Sequence, residues 1–286
     1  MRSGSLLLAA LAVATACQPA ADDAVGGDAA LGPDAGAAAP DAGPGPDAPP
    51  GPVLSCGGAA LCDGFETGAG AAPDPSRWTV ATPDCSGDGV VAVDPAVAHG
   101  GARSLRVTAS GGYCNHVFVA STTSLATWTG PIYGRFFVRL DDALGDGHVT
   151  FLAMADDGDG ADLRMGGQSR ILMWNRERDD ATLPGLSPAG IGLSTAPAPG
   201  AWTCVELEID GAAGTLRTWV DGAEVAGLVV DGAATPDVDR QWLNGGAWRP
   251  QLTDLRLGWE SYGGQAMTLW FDDVAFGGAR IPCDAR

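Results

Sequence analysis

A β-sandwich of two antiparallel sheets, arranged as a jelly roll, is the fold this sequence predicts, and three observations point to it. From Cys56 onward, short segments of alternating apolar and polar residues recur between Gly, Pro and Asp. No stretch sustains a 3.6-residue apolar period. The dipeptide Asp221–Gly222 interrupts one alternating run where a type I′ hairpin turn belongs. The predicted strands are "SLRVTAS", "GRFFVRL", "HVTFLAMA", "RILMWNR", "CVELEID", "TLRTWVDG", "LRLGWE" and "TLWFDDVAF". Two such sheets packed face to face bury alternate side chains. A curved sheet of this kind often presents a hollow to a glycan, with Trp and Tyr offering flat apolar surface to sugar rings.

The first part of the chain reads differently. Residues 1–17, "MRSGSLLLAALAVATAC", hold one Arg, an apolar run from Leu6 to Val13 and small residues before Cys17, the pattern of a secretory signal. The closing "ATAC" resembles a bacterial lipobox with Ala14 in place of the usual Leu. On that reading Cys17 is the acylated first residue of an outer-membrane or cell-surface lipoprotein; the alternative is plain cleavage and release. The apolar run is too short to span a bilayer, so contact with a membrane is expected only through the N-terminal lipid. Residues 18–55 are almost entirely Ala, Asp, Gly and Pro and read as a disordered tether. Residues 56–286 then form one domain, expected to be a monomer. Of seven cysteines, removing Cys17 leaves six, an even number that suits three disulfides in an oxidising compartment.

A net charge of −19 argues against nucleic acid as a partner. It also weakens long-range attraction for any polyanion, so a site for an acidic ligand needs its own arginines. The run "DLRMGGQSRILMWNRERDDATLP" (162–184) provides Arg164, Arg170, Arg176 and Arg178. Strand alternation allows Arg164, Gln168 and Arg170 to share a face, with Gly166–Gly167 leaving room for a ligand or marking a bulge. Together with His116, His148 and Tyr262 this is the set that β-elimination on a uronic-acid polymer requires. Arg and Gln or Asn stabilise the dianion formed when the C5 proton leaves. His or Tyr removes that proton, and Tyr can return one to the leaving oxygen. A Tyr base would have to titrate below its usual value of about 10, a shift that nearby Arg favours. The plainer reading is a surface strand. It pairs Arg164 with Asp162 or Asp180, keeps Trp174 and Met173 in the core, and leaves His148 an edge histidine.

Two carboxylates beside terminal aromatics, Glu66 in "CDGFETG" and Asp272 in "LWFDDVAF", suggest structural calcium between the first and last strands. The Gly-rich turn within 97–105 offers carbonyls to such an ion, although the acids alone also suit turn caps. Glu206, Glu208 and Asp210 in "ELEID" share a strand face, as the paired acids of glycosidases do. Their apolar alternates Val205, Leu207 and Ile209 make an outer strand with its acids in water the better reading. A G-x-S-x-G elbow is absent, and with no Lys in the chain Schiff-base chemistry is excluded.

With these residues in view, "HVTFLAM", "LRMGGQSRILMWNRERDDATLPGLSPAGI", "GYCNH" and "WFDDV" resemble the cellulose-induced protein family over about Gly64 to Cys283. The resemblance implies a concanavalin A-like jelly roll similar to glucuronan lyases and jelly-roll alginate lyases. It implies calcium at Glu66 and Asp272, aided by backbone oxygens of Gly100 and Arg103, where the fungal form has Ser and Asn. It places Arg164, Gln168 and Asp180 in the cleft, with His116 and Tyr262 as lyase-like base and acid. His148, Asn175, Arg176, Asp162 and Trp174 are expected to contact substrate, although Asp162 stands where the fungal form has a cleft His and would repel a uronate. The resemblance also implies disulfides Cys85–Cys114 and Cys204–Cys283, while the loop "CGGAALC" suggests a local Cys56–Cys62 bridge. The expectation is a surface-tethered polysaccharide lyase acting on a glucuronan-like polyuronate, the alternative a non-catalytic carbohydrate-binding module.

Overall fold

A computed structural model describes residues 55–68, 70–82, 89–112 and 115–285. The expected signal, the expected lipid site at Cys17, most of the tether and the expected Cys85–Cys114 pair lie outside the described residues. Fifteen strands form two antiparallel sheets. They are β1 (Leu61–Asp63), β2 (Trp78–Ala81), β3 (Val90–Asp94), β4 (Ser104–Ala109), β5 (Asn115–Ser121), β6 (Ile132–Leu140), β7 (Val149–Asp156) and β8 (Ala161–Gln168). Then come β9 (Ile171–Arg176), β10 (Ala181–Leu183), β11 (Trp202–Asp210), β12 (Thr215–Val220), β13 (Ala223–Glu224), β14 (Arg256–Ser261) and β15 (Met267–Gly277). Two single-turn helices, α1 (Pro188–Ile191) and α2 (Arg240–Asn244), lie in connections. One sheet runs β13-β12-β11-β6-β15-β4-β3 with β1 added on β15; the other runs β10-β9-β8-β7-β14-β5-β2. This is the predicted jelly-roll sandwich.

Alternation explains how the sheets pack. Phe136 and Val138, Val205 and Leu207, and Leu269 and Phe271 of the eight-stranded sheet share one core with Leu163, Met165, Trp174, Leu257 and Trp259 of the other. The predicted hairpin at Asp221–Gly222 is present with φ values of 50° and 82°, the left-handed pair a type I′ turn needs. A second tight hairpin was not predicted. Ser169 and Arg170, at φ 53° and 65°, join β8 to β9 with Gln168 opposite Ile171. The "ELEID" strand differs from expectation. β11 lies inside its sheet, and Glu206 is buried beneath the C-terminal segment, accepting from Arg280 Nε at 2.7 Å and Cys283 N at 3.2 Å.

The ends of the fold are fastened together. Disulfides Cys56–Cys62 and Cys204–Cys283 are both formed. Ser55 N donates to Ala285 O at 3.2 Å. Arg135, fully buried on β6, donates to the carbonyls of Asp273 (3.1 Å), Ser55 (3.1 Å) and Pro282 (3.5 Å). Removing that guanidinium strands several buried carbonyls, each costing about 1–3 kcal/mol when unsatisfied. Arg135→Met should therefore lower unfolding free energy by about 3 kcal/mol in urea titrations, whereas substituting the exposed Arg170 should change it by under about 0.5 kcal/mol.

Candidate functional site

The register of the seven-stranded sheet decides which predicted residues meet. Across β5, β14, β7 and β8, His116 lies opposite Glu260, Glu260 opposite Thr150 and Thr150 opposite Gly166. One row over, Arg256 faces Ala153, Ala153 faces Arg164, Arg164 faces Asn175 and Asn175 faces Thr182. A bulge in β7 between Thr150 and Leu152 keeps both rows on the sheet face turned away from the core. Gly166 permits it, since a Cβ there would sit 1.9 Å from Val149 O. The glycine therefore marks a bulge and a close strand approach, and the room for a ligand is not there.

Tyr262 is the hub of this face. His148 stacks on its ring at 5.7 Å, His116 meets it edge-on at 6.0 Å, and the Arg164 guanidinium lies over it at 5.6 Å. Arg164 is only 5% exposed and is held by two carboxylates that the sequence reading missed. It pairs with Glu177 Oε1, while Glu260 Oε1 lies 4.0 Å away and 3.3 Å from His116 Nε2. Asp162 pairs with Arg256 at 2.6 Å, so its charge reaches Arg164 only at longer range, behind Glu260 and Glu177. Gln168 shares the Arg164 face and is half-buried at the end of β8.

Buried polar atoms concentrate here. Twelve side-chain N or O atoms among the described residues are buried without a hydrogen-bond partner, and eight belong to this face. They are His116 Nδ1 and Nε2, Thr150 Oγ1, Arg164 Nε, Asn175 Oδ1, Thr182 Oγ1, Arg256 Nε and Glu260 Oε1, of which His116 Nε2 and Glu260 Oε1 face each other at 3.3 Å and Arg256 Nε lies 2.9 Å from Asp254 Oδ2. Folded proteins leave few such groups unpaired, so a cluster of them marks where water or a ligand completes the bonding. A cavity of about 520 Å³ at the Trp128, Asp157 and Arg249 end of the sandwich has no His or Tyr in its lining.

Several predicted residues lie elsewhere. Trp174 is fully buried in the core with Nε1 donating to Thr218 Oγ1 at 2.9 Å, so no substrate reaches it. Arg176 sits opposite Leu163 on the core-side parity of β9, buried against Trp242 and bonded twice to Asp179. Arg170 occupies the tight turn and pairs with Asp146 in solvent. Asp180 is exposed in the β9–β10 turn at φ 53°, with its charge felt by His148.

The electrostatics reassign roles. Tyr262 is raised well above its ordinary value, first by burial and then by its hydrogen bond to Glu260, which together outweigh Arg164. It therefore holds its proton, contrary to the expected downward shift. His148 is pushed down to about 4, first by burial and then by Arg164. It is neutral, with a free lone pair, across ordinary assay conditions.

The acidic cluster at the first and last strands is present. A bulge at Asp272–Ala275 in β15, with Asp273 at φ 48°, aims both aspartates at the 99–101 turn. A cavity of about 200 Å³ is lined by Asp63, Glu66, Gly100, Gly101 and Asp273. Buried Asp272 is pushed up to about 8, by desolvation and then by Asp273, as in a carboxylate group short of positive charge. These acids fit a hard cation. At the two turn positions expected to help, Gly100 donates its N–H to Asp272 Oδ2 at 3.1 Å, and Arg103 donates its own to Glu66 Oε1 at 2.9 Å.

Comparisons with known proteins identify the family and the fold. The family model described as "Polysacc_lyase-like: Cip1-like, core domain" matches residues 64–279. The solved structure "Cellulose induced protein, Cip1" is 40% identical, covering 78% of this chain and 99% of its own, with a TM-score of 0.71. The endo-β-1,4-glucuronan lyase of the fungus Trichoderma reesei is 17% identical with a TM-score of 0.51, covering 77% of this chain and 96% of its own, a likeness of fold. No match was found among curated protein sequences.

The low value for His148 has a stability sign. Its contribution is complete above the unfolded value near 6.5 and is lost as pH falls through about 4. Nuclear magnetic resonance titration should find one of the three imidazoles still neutral at pH 5. In Arg164→Met that imidazole should titrate higher, because the lost guanidinium opposed its protonation.

Proposed function

The chain belongs to the Cip1-like family of polysaccharide lyase-like domains, and on that premise we propose that it is a surface-tethered lyase that cleaves a uronate-bearing glycan by β-elimination. One observation carries the reading: the buried polar atoms without a hydrogen bond that gather around Arg164, Tyr262 and the two histidines. Such atoms call for water or a ligand to complete their bonding.

In this reading Arg164, with Asn175 opposite it and Gln168 along the strand, receives the sugar carboxylate and stabilises the charge that develops on it. His148, neutral and only partly covered, takes the C5 proton. Tyr262 keeps its proton through Glu260 and gives it to the departing glycosidic oxygen. His116, at 1% exposure behind the Tyr262 ring, is a positioning residue for Glu260 and Tyr262. A calcium ion held by Glu66 and Asp272, with Asp273 beside them, would join the first and last strands as a structural cation. The alternative, a carbohydrate-binding module without turnover, draws support from the pairing of Arg164 with Glu177.

Incubating the folded protein with glucuronan, alginate and other polyuronates should give rising ultraviolet absorbance from unsaturated ends. Binding of these polymers with no such signal on any would leave only the binding module. Tyr262→Phe and His148→Ala should each lower kcat by at least about 100-fold, while His116→Ala should act mainly through pH dependence and stability. Calcium should raise the melting temperature by several degrees, and Asp272→Asn should abolish that increment.

A further inference from the structure

Building on the lyase reading, we infer that Glu177 is a built-in substitute for the substrate's carboxylate, a residue that occupies Arg164 until a sugar acid displaces it. Three features of the Arg164 face lead there. First, the guanidinium is already taken: Arg164 Nη2 is paired with Glu177 Oε1, and the other oxygen of Glu177 accepts from Asp162 N at 2.8 Å. A carboxylate held by one guanidinium N–H and one backbone N–H models the contact a uronate would make there. Second, the two acids near Arg164 differ in mobility. The Glu260 side chain is 4% exposed within β14, whereas that of Glu177 is 36% exposed at the start of the turn between β9 and β10. Glu177 can swing into water without breaking a strand. Glu260 has no such path.

Third, the charge balance requires the exchange. On this face two guanidiniums, Arg164 and Arg256, meet four carboxylates, Asp162, Glu177, Asp254 and Glu260. Asp162 and Asp254 are committed to Arg256. A uronate added to this set would face excess negative charge, but a uronate exchanged for Glu177 leaves the balance unchanged. The buried, unpartnered Asn175 Oδ1 lies across from Arg164 and accepts a hydroxyl of the arriving sugar. Glu177 is thus the specificity-determining residue. A neutral chain has nothing with which to displace it, and an acidic chain must compete with it.

Calorimetry in a Tyr262→Phe background, where the oligomer stays intact, tests this with β-1,4-linked glucuronate oligomers and their carboxyl-reduced counterparts. Glu177→Gln, which keeps the shape and the bond to Asp162 N, should tighten binding of the acidic oligomer about tenfold and leave the reduced one unchanged. Asp146→Asn removes an equal charge from the exposed Arg170 pair and should change neither. In the turnover enzyme, Glu177→Gln should lower KM on polyuronate. Unchanged or weaker acidic binding in Glu177→Gln, while Tyr262-intact protein still cleaves, overturns the role of Glu177 and leaves the lyase reading standing. Tighter acidic binding without turnover by any Tyr262-intact protein keeps the role of Glu177 and removes the lyase reading. No binding of acidic oligomer by either form removes both.

Discussion

Strand register in the seven-stranded sheet is the constraint on which the rest depends. Because side chains alternate, the pairing that sends Leu163, Met165, Trp174 and Trp259 into the core also sends Arg164, Asn175, Thr182 and Glu260 to the other face. Slipping one strand by a residue would exchange a buried aromatic for a guanidinium. The β7 bulge and Gly166 then correct the one place where two rows would fall out of phase. Folding and site assembly are the same event on this sheet, since the core that fixes the register also sets which polar groups meet.

Electrostatics on the two sheets are organised by opposite means. On the Arg164 face, each cation is matched or outnumbered by carboxylates, and burial raises Tyr262 and lowers His148. Both therefore remain uncharged, which keeps the desolvation cost of the face low while preserving a proton donor and a proton acceptor on stacked rings. At the first and last strands, Asp63, Glu66, Asp272 and Asp273 gather against a turn that presents backbone N–H groups. Negative charge there is met by peptide N–H groups and by the His99 ring on Asp273, and burial beside Asp273 pushes Asp272 up to about 8.

Much of the fold was written in alternation and turn chemistry. The eight predicted strands exist, and Asp221–Gly222 turns as its residue types require. Arg164, His116, His148 and Tyr262 were all marked and do converge. Parity misled the reading of the arginine run, because the Ser169–Arg170 turn carries no Gly or Asn to announce it. With Gln168 opposite Ile171, Arg176 falls on the core side and Arg164 on the other. Glu260 had a usable signal, standing two residues before Tyr262 and so on its face. Glu177 had none, since its partner is thirteen residues away and reached only through that same turn. Glu206 hid because the segment that covers it follows β15 by a few residues and has no periodic pattern of its own.

Arg135 and the paired ends have a mechanical consequence. The chain enters the described fold at Ser55 and leaves at Ala285, with a backbone bond between them and one guanidinium bridging Ser55 to Pro282 and Asp273. Load applied through the N-terminal segment would run into the Cys56–Cys62 loop, Arg135 and the eight-stranded sheet. The sheet bearing Arg164 lies outside that line. A pull on the domain from that end would thus be borne by the eight-stranded sheet and leave the geometry around Arg164 undisturbed.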